Sequence, residues 1–213
     1  MTARFIVLEG IEGTGKSTHA AYLADWLAKQ GQPAVAAREP GGTPLGERLR
    51  TLLLDPGISP MPPQAEALLM FAARSASISE VILPALASGA WVVCDRFVES
   101  SYAYQAYGRG VPIEQVRALD RQIVGKLRPD LTVILDAPPE LGLARKAGPG
   151  KKDRFEQESL KFFERVRQGY LQRAREGGGR YIVVDASREL AEVRKDLVTA
   201  IGQLLGHKAS RDN

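Results

Sequence analysis

Near its amino terminus the chain reads FIVLEGIEGTGKS, residues 5–17. The second part of this stretch fits G-x-x-x-x-G-K-[ST], the pattern of the phosphate-binding P-loop. It follows an apolar run at residues 5–8, which predicts a buried strand, and it precedes a helical pattern that begins at Thr18. The motif requires a strand, a glycine-rich loop and a helix in this order. The stretch therefore predicts a site for a nucleoside triphosphate. A glycine-rich turn that precedes Lys-Ser by chance is the alternative.

Each part of this loop has a chemical reason to bind phosphate. Glycines let backbone N–H groups turn towards a phosphate, and the helix that starts there adds the positive end of its dipole. Lys16 is long enough to reach the β- and γ-phosphates, and the Ser17 hydroxyl is a ligand for Mg²⁺. We therefore assign binding of the triphosphate to the whole loop: Gly10, Ile11, Glu12, Gly13, Thr14, Gly15, Lys16, Ser17 and Thr18.

The composition is ordinary for a globular protein, with 44% hydrophobic and 25% charged residues in a chain of 213. This length suits one core, so we expect a single domain over residues 1–206 and a polar tail over residues 207–213. The net charge of +4 fits polyanionic partners but is too small to decide between them. Basic residues cluster near the candidate phosphate sites, which favours free nucleotides and predicts no nucleic-acid partner.

The cysteine content and the lengths of the apolar runs indicate where in the cell the protein works. Its single cysteine, Cys94, excludes an intramolecular disulfide and favours the reducing cytoplasm. We find neither a signal-peptide pattern nor an apolar run approaching the length of a membrane span, so we expect no membrane partner.

Short apolar segments alternate with helical patterns along the chain, which predicts a parallel sheet with helices on both faces. The predicted strands are Phe5–Glu9, Pro33–Arg38, Trp91–Cys94, Leu131–Asp136 and Tyr181–Asp185. The predicted helices lie near Gly15–Gln30, Pro44–Leu54, Pro63–Ser88, Ile113–Lys126, Glu140–Lys146, Glu156–Arg175 and Leu190–Leu205. The fold class is therefore α/β: a three-layer sandwich of the P-loop NTPase type, with a five-stranded parallel sheet and a short lid.

Ligands bind such sheets at the carboxyl ends of the strands. Asp95 and Arg96 directly follow the third strand, where an acid can hold Mg²⁺ and an arginine can grip phosphate with its planar fork. A surface ion pair that caps the strand is the alternative. The segment Arg38-Glu39-Pro40-Gly41-Gly42-Thr43 follows the second strand, and its rigid turn lets backbone approach a ligand closely.

Several blocks together resemble the thymidylate kinase family, in the order in which that family carries them. Beyond the P-loop they are Arg38-Glu39-Pro40-Gly41-Gly42-Thr43, Asp95-Arg96-Phe97, Ser100-Ser101-Tyr102-Ala103-Tyr104-Gln105, Pro129-Asp130-Leu131-Thr132 with Leu135-Asp136, and Asp153-Arg154-Phe155-Glu156-Gln157-Glu158. Other nucleoside monophosphate kinases share the P-loop and the Asp-Arg pair but lack the Glu-Pro-Gly-Gly-Thr block. The resemblance covers about residues 5 to 170.

The resemblance implies an acceptor site for dTMP. Arginines would hold the phosphate, an aromatic residue would stack on the thymine, and polar groups would contact its edge. The implied residues are Glu39, Arg50, Phe71, Arg74, Arg96, Ser101, Tyr104 and Gln105. Phe71 and Arg74 lie one helical turn apart, but many family members place the aromatic four residues before the arginine, where this chain has Met70. Core packing is the alternative role for Phe71, and a buried cleft wall is the alternative for Tyr104.

The resemblance also implies a lid over about residues 146–154. Relatives with glycine at position 13, instead of an arginine, draw their phosphate-binding cations from the lid. The residues implied to neutralise the transferred phosphoryl group are Lys16, Arg96, Arg154, Lys151 and Lys152. Arg145 is either a further such cation or the residue that stacks on the adenine. Ser17 and Asp95 would hold Mg²⁺.

The implied reaction is ATP plus dTMP giving ADP plus dTDP, a step of dTTP biosynthesis, with Mg²⁺ and in a homodimer. A kinase acting on dUMP, dCMP or a deoxynucleoside is the nearest alternative. A P-loop ATPase switch is a more distant one, since no Asn-Lys-x-Asp and no Asp-x-x-Gly segment follows the P-loop.

Overall fold

A computed structural model of the chain describes residues 3–58, 60–146 and 152–206. Within those residues one sheet of parallel strands has the order β2-β3-β1-β4-β5. The strands are β1 Phe5–Glu9, β2 Ala34–Arg38, β3 Trp91–Asp95, β4 Leu131–Asp136 and β5 Tyr181–Asp185. The predicted five-stranded parallel sheet is confirmed, and only the start of β2 and the end of β3 differ, each by one residue.

Helices connect the strands throughout the described chain. They are α1 Lys16–Lys29, α2 Pro44–Leu54, α3 Pro63–Ser77, α4 Leu83–Ala87, α5 Val98–Ser101, α6 Ile113–Leu119, α7 Pro139–Lys146, α8 Leu160–Gly177 and α9 Leu190–Gly206. Three segments are wound as π-helix, Ile78–Ile82 between α3 and α4, Tyr102–Gly108 after α5 and Asp120–Val124 after α6; Gly178–Arg180 forms a 3₁₀ turn.

The two faces of the sheet carry separate apolar layers, as the pleat of a strand requires. Ile6 and Leu8 of β1 pack with residues of α1 and α9, including Leu23 and Leu197. Phe5 and Val7 point the other way and pack with Phe71, Phe97, Tyr102 and Val116. Helices therefore cover both faces, which is the predicted three-layer arrangement.

The helix that follows β3, over residues 98–108, was not predicted. Ser, Tyr and Gly are modest or poor helix formers, and the π-helical winding of Tyr102–Gly108 departs from the 3.6-residue period. Burial stabilises this helix instead, since Tyr102, Ala103 and Tyr104 are almost fully enclosed. The predicted start of the next-to-last helix at Glu156 was also wrong, because the helix begins at Leu160 after Ser159, whose hydroxyl accepts from the backbone of Phe162.

By length and composition alone, one helical stretch among the described residues could cross a membrane, Pro63–Ala87. Of its most apolar window, 44% is buried inside the fold. Its buried residues include Glu66, Arg74 and Ser77, so we interpret it as a core helix that brings polar side chains into the interior.

Candidate active site

A cleft of about 290 Å³ lies at the carboxyl ends of the strands. The P-loop, the ends of β2 and β3, α3 and the helix over residues 98–108 form its walls. It brings together the following predicted site residues: Glu12, Gly13, Gly15, Lys16, Ser17, Thr18, Glu39, Arg50, Arg74, Asp95, Arg96, Ser101, Tyr104 and Gln105. The remaining loop residues Gly10, Ile11 and Thr14 are not among the lining residues, and Ile11 and Thr14 are buried.

The P-loop is closed by its own hydrogen bonds. Gly10, Gly13 and Gly15 have φ values of 140°, 73° and 83°, which favour glycine. The ammonium group of Lys16 donates to the carbonyl oxygen of Ile11 at 2.6 Å. Burial lowers the pKa of Lys16 to about 8, so an anion in the cleft would stabilise its charged form.

Gly13 has a second reason to be glycine. A Cβ atom at this position would lie 1.9 Å from the carbonyl oxygen of Gly142 in α7. A Cβ atom on Gly142 would in turn lie 2.4 Å from the carbonyl oxygen of Glu12. The P-loop and α7 therefore approach each other backbone to backbone.

Ser17 and Asp95 meet although they lie far apart in sequence. The Ser17 hydroxyl donates a short hydrogen bond to Oδ2 of Asp95. Oδ1 of the same carboxylate is buried and has no hydrogen-bond partner among the described residues. A carboxylate oxygen without a donor, beside a serine hydroxyl at the end of a P-loop, matches the oxygen ligands that Mg²⁺ takes alongside water and phosphate.

Arg74 is the centre of the opposite wall. Its Nε donates to Oε2 of Glu39 at 2.7 Å, and both side chains are only 3% exposed. Its Nη1 donates to the hydroxyl of Ser101 and its Nη2 to the carbonyl oxygen of Phe97, both at 2.8 Å. Burial raises the pKa of Glu39, and Arg74 opposes that effect. The arginine therefore orders three segments of this wall of the cleft.

Arg96 lies between the P-loop and this wall, with a left-handed φ of 70°. Its Nη2 donates to Oε1 of Glu12 at 2.9 Å, and its Nη1 donates to the carbonyl oxygen of Gly10 at 3.0 Å. Its guanidinium carbon sits 4.9 Å from the ring centre of Tyr104, whose hydroxyl donates to Glu12 at 2.5 Å. The residue thus places a fixed positive charge beside the phosphate-binding loop.

Glu9 is completely buried and shares two hydrogen-bond partners with Arg96. Its carboxyl group accepts from the backbone N–H of Phe97 at 2.8 Å, from the Ser100 hydroxyl at 2.6 Å and from the Tyr170 hydroxyl at 3.0 Å. Burial raises the pKa of Glu9 to about 7 despite these donors. Ser100 and Tyr170 also accept from Nη1 of Arg96, so Glu9 supports the position of that arginine.

Phe71 and Arg50, both predicted to bind dTMP, differ in where their side chains lie. The prediction that Phe71 stacks on the base was wrong: Phe71 is 1% exposed and packs in the core, with the guanidinium carbon of Arg74 4.7 Å from its ring centre. Met70 lines the cleft instead. Helical spacing puts Phe71 near Arg74, but the ring of Phe71 packs in the core while Arg74 reaches the cleft. Arg50 lines the cleft and donates to the carbonyl oxygen of Pro40 at 2.9 Å.

The predicted lid cations are dispersed in this structure. The expectation that Arg154 faces the transferred group is corrected: it is buried, donates to the carbonyl of Leu53 and to Glu66, and is absent from the cleft lining. The Arg145 side chain donates to the carbonyl oxygens of Ala186 and Ser187, after β5.

The remaining lysines of this segment differ in position. Lys152 is exposed and is not among the residues that line the cleft. Lys151 lies outside the described residues, as do most of the predicted lid, residues 147–151, and the tail, residues 207–213. Lys146 lines the cleft, although we did not predict it as a site residue.

Sequence reasoning missed other lining residues. Among them are Arg38, Leu54, Ser100, Asp153 and Phe155. Arg38, Ser100, Asp153 and Phe155 stood within the quoted motifs and could have been selected from them. Leu54 carries no polar signal, so only the orientation of α2 reveals it, whereas Met70 was the alternative to Phe71 from the start.

Comparison with known proteins agrees with this geometry. The thymidylate kinase family model matches residues 8–197. The thymidylate kinase of Ectopseudomonas mendocina is 54% identical over 205 residues, which cover 96% of this chain and 98% of that protein. The thymidylate kinases of Chromobacterium violaceum, at 54% over 203 residues (95% of each chain), and Pseudomonas fluorescens, at 52% over 205 residues (96% and 98%), are similarly close. The chain belongs to the thymidylate kinase family.

Proposed function

We propose that this protein transfers the γ-phosphoryl group of ATP to dTMP, giving ADP and dTDP on the way to dTTP. The observation that carries the proposal is the shared cleft: the P-loop with Lys16 forms one wall, and the buried Arg74–Glu39 pair with Ser101 and Gln105 forms the other. Family membership supports dTMP as the acceptor.

On the donor side, the residues from Gly10 to Thr18 bind the phosphates of ATP. When ATP binds, the ammonium group of Lys16 exchanges its hydrogen bond to the carbonyl oxygen of Ile11 for contacts with the β- and γ-phosphates. Arg145 binds beside the adenine, which its contacts with the segment after β5 support.

Ser17 and Asp95 hold the divalent metal, which we propose to be Mg²⁺. Their contact and the unpartnered buried oxygen of Asp95 support this assignment. When bound, the metal ion would be held by the Ser17 hydroxyl and the Asp95 carboxylate and would neutralise charge on the phosphates of ATP.

On the acceptor side, Arg50, Arg74 and Arg96 surround the monoester phosphate and sugar of dTMP, together with Glu39. Ser101 and Gln105 contact the base edge, Tyr104 lies beside the sugar, and Met70 replaces Phe71 against the base face. Lining of the cleft by these side chains supports the assignments.

Phosphoryl transfer needs positioning and charge neutralisation more than covalent help. The acceptor is already an anionic phosphate, so no strong general base is required. Lys16 and Arg96 stabilise the charge that spreads over the transferred group, because both cations line the cleft beside the loop and Arg96 is held there by Glu12. Lys146, Lys151 and Lys152 are the candidate cations from the lid over residues 146–154, and Arg154 anchors that segment.

The wider context of this function is also a proposal. We expect one domain over residues 1–206, working in the cytoplasm on free nucleotides, without nucleic-acid or membrane partners. The partner is a second copy of the chain. Exposed leucines support a homodimer: Leu45 and Leu52 on α2 are 50% and 38% exposed, and Leu68 on α3 is 57% exposed.

A coupled assay of ADP release tests the function. The acceptors are dTMP, dUMP and dCMP, with a reaction lacking acceptor as the control. We expect the highest kcat/KM with dTMP and little ADP without acceptor. A preference for dUMP or dCMP would favour another nucleotide kinase, and ADP release that ignores the acceptor would favour an ATPase switch.

A further inference from the structure

Glu66 is a fully buried carboxylate that the reaction described above does not use. Its side chain is 0% exposed in α3, within a run at residues 65–73 that is otherwise apolar. It lies four residues before Met70 and eight before Arg74, so the three share one helix face. Met70 and Arg74 line the cleft, and Glu66 is buried beneath the wall that they form.

Both oxygens of Glu66 accept hydrogen bonds. Oε2 accepts from Nη1 of Arg154 and from Nε of Arg109, the latter at 3.2 Å. Oε1 accepts from Nε2 of Gln105 at 2.8 Å, and Nε of Arg109 lies 3.4 Å away from it. A guanidinium group can only donate, so the two arginines hold the carboxyl group as an acceptor.

This contact orients the amide of Gln105. An amide has one donating and one accepting end, and Glu66 can be satisfied only by the donating NH₂ group. In the reverse orientation two acceptor oxygens would face each other in a buried site, which is unfavourable. The carbonyl oxygen of Gln105 is therefore the end left for the cleft that this residue lines.

Ser101 presents the opposite polarity one helical turn earlier. Its hydroxyl oxygen accepts from Nη1 of Arg74 at 2.8 Å, so its own proton is free to be donated. The wall thus offers a donor at Ser101 and an acceptor at Gln105. Thymine and uracil carry the complementary pair, a carbonyl at C4 and an N–H at N3, whereas cytosine has an amino group at C4 and no proton on N3.

We propose that Glu66 is a positioning residue that fixes the Gln105 amide with its carbonyl towards the base, and so selects pyrimidine nucleotides carrying N3–H over cytosine nucleotides. This inference rests on the proposed function, because it takes a pyrimidine monophosphate as the acceptor.

The test is Glu66→Gln, because a glutamine at this position can donate as well as accept and would allow Gln105 to turn. We expect the ratio of kcat/KM for dTMP over dCMP to fall by about tenfold, while the ratio for dTMP over dUMP stays unchanged. Glu66→Asp keeps an acceptor and should retain the selectivity of the natural enzyme even at a reduced rate. Glu99→Gln is the matched control, since Glu99 is also buried and paired with an arginine, Arg173, but does not line the cleft.

Comparing kcat/KM for dTMP, dUMP and dCMP separates a change in selectivity from a general loss of activity. A misshapen cleft would lower activity with all of them, so an unchanged dTMP over dCMP ratio in a folded Glu66→Gln protein would overturn the inference. If that variant does not fold, Gln105→Met removes the amide alone, and a retained ratio there would overturn it as well. Failure of the proposed function is distinguishable, because the natural enzyme would then not prefer dTMP in the same assay.

Discussion

The guanidinium group of Arg74 and the carboxylate of Glu39 form a 2.7 Å ion pair that is almost completely shielded from water. The pair joins α3 to the turn after β2, and Arg74 also contacts Ser101 and Phe97. Oε1 of Glu39 has no partner among the described residues. The acceptor wall thus depends on one arginine for its internal order.

Removing this arginine should cost stability because a charged carboxylate is left buried. We expect Arg74→Met to lower the free energy of unfolding by about 3–5 kcal/mol. Arg38→Met is the control, because the Arg38–Glu47 pair has side chains that are 51% and 45% exposed and should contribute less than about 1 kcal/mol. Urea denaturation of the two variants provides the measurement, and equal losses would contradict the prediction.

Arg96 should matter for turnover more than for nucleotide binding. Its guanidinium group is held beside the P-loop by Glu12 and Gly10 before any substrate arrives. We expect Arg96→Ala to lower kcat by about a hundredfold or more while the Kd of ATP changes by only a few fold. Steady-state kinetics and calorimetric ATP titration measure the two effects. Near-normal turnover would remove Arg96 from transition-state stabilisation.

Asp95 should control the metal requirement. Asp95→Asn removes the negative charge while keeping the size of the side chain, so we expect the Mg²⁺ concentration for half-maximal activity to rise about tenfold or more. Asp136→Asn is a suitable comparison, since Asp136 also ends a strand but is paired with Arg167 at 2.7 Å. The same metal dependence in both variants would argue against Asp95 as a ligand.

Stability should depend on pH through Glu9. Its pKa is raised from an ordinary value of 4.5 to about 7 by burial, so the folded state binds the proton more tightly than the unfolded state. This stabilisation is complete below about pH 4.5 and is lost as the pH rises to 7, amounting to about 3 kcal/mol. Glu9→Gln should remove that component. Urea denaturation of both proteins between pH 5 and pH 8 measures it, and parallel curves would show that Glu9 does not titrate there.

The contact between Gly13 and Gly142 gives a further prediction. Gly13 and Gly31 share a φ of 73°, but an added Cβ atom meets Gly142 in one case and open space in the other. Gly31→Ala should therefore cost only the strain of a left-handed alanine, about 1–2 kcal/mol. Gly13→Ala should cost more and also reduce kinase activity. Thermal unfolding and the coupled assay compare the variants, and similar behaviour would mean that the loop and α7 separate easily.

The sheet was predictable because its strands are continuous apolar runs between helical patterns, and P-loop chemistry defined the donor wall. The acceptor wall was harder to predict. Helical spacing placed Phe71 and Met70 equally near Arg74, and only packing against Val7 and Phe97 shows that Phe71 turns to the core.

Two other features lay beyond local sequence. The helix over residues 98–108 is stabilised by burial of its tyrosines and partly wound as π-helix, so neither propensity nor a 3.6-residue period indicated it. Glu66 gave one signal, an acidic residue inside an apolar run of α3, but its partners Gln105 and Arg154 lie 39 and 88 residues away.

The backbone contact between Gly13 and Gly142 also limits how this enzyme could evolve. An arginine at position 13 would need α7 to move outward before it could be accommodated, since a Cβ atom there already meets the Gly142 carbonyl oxygen. Position 142 is bound by the same restriction, because its own side chain would strike the loop. The two positions should therefore change together across the family, because a side chain at either one requires the loop and α7 to separate.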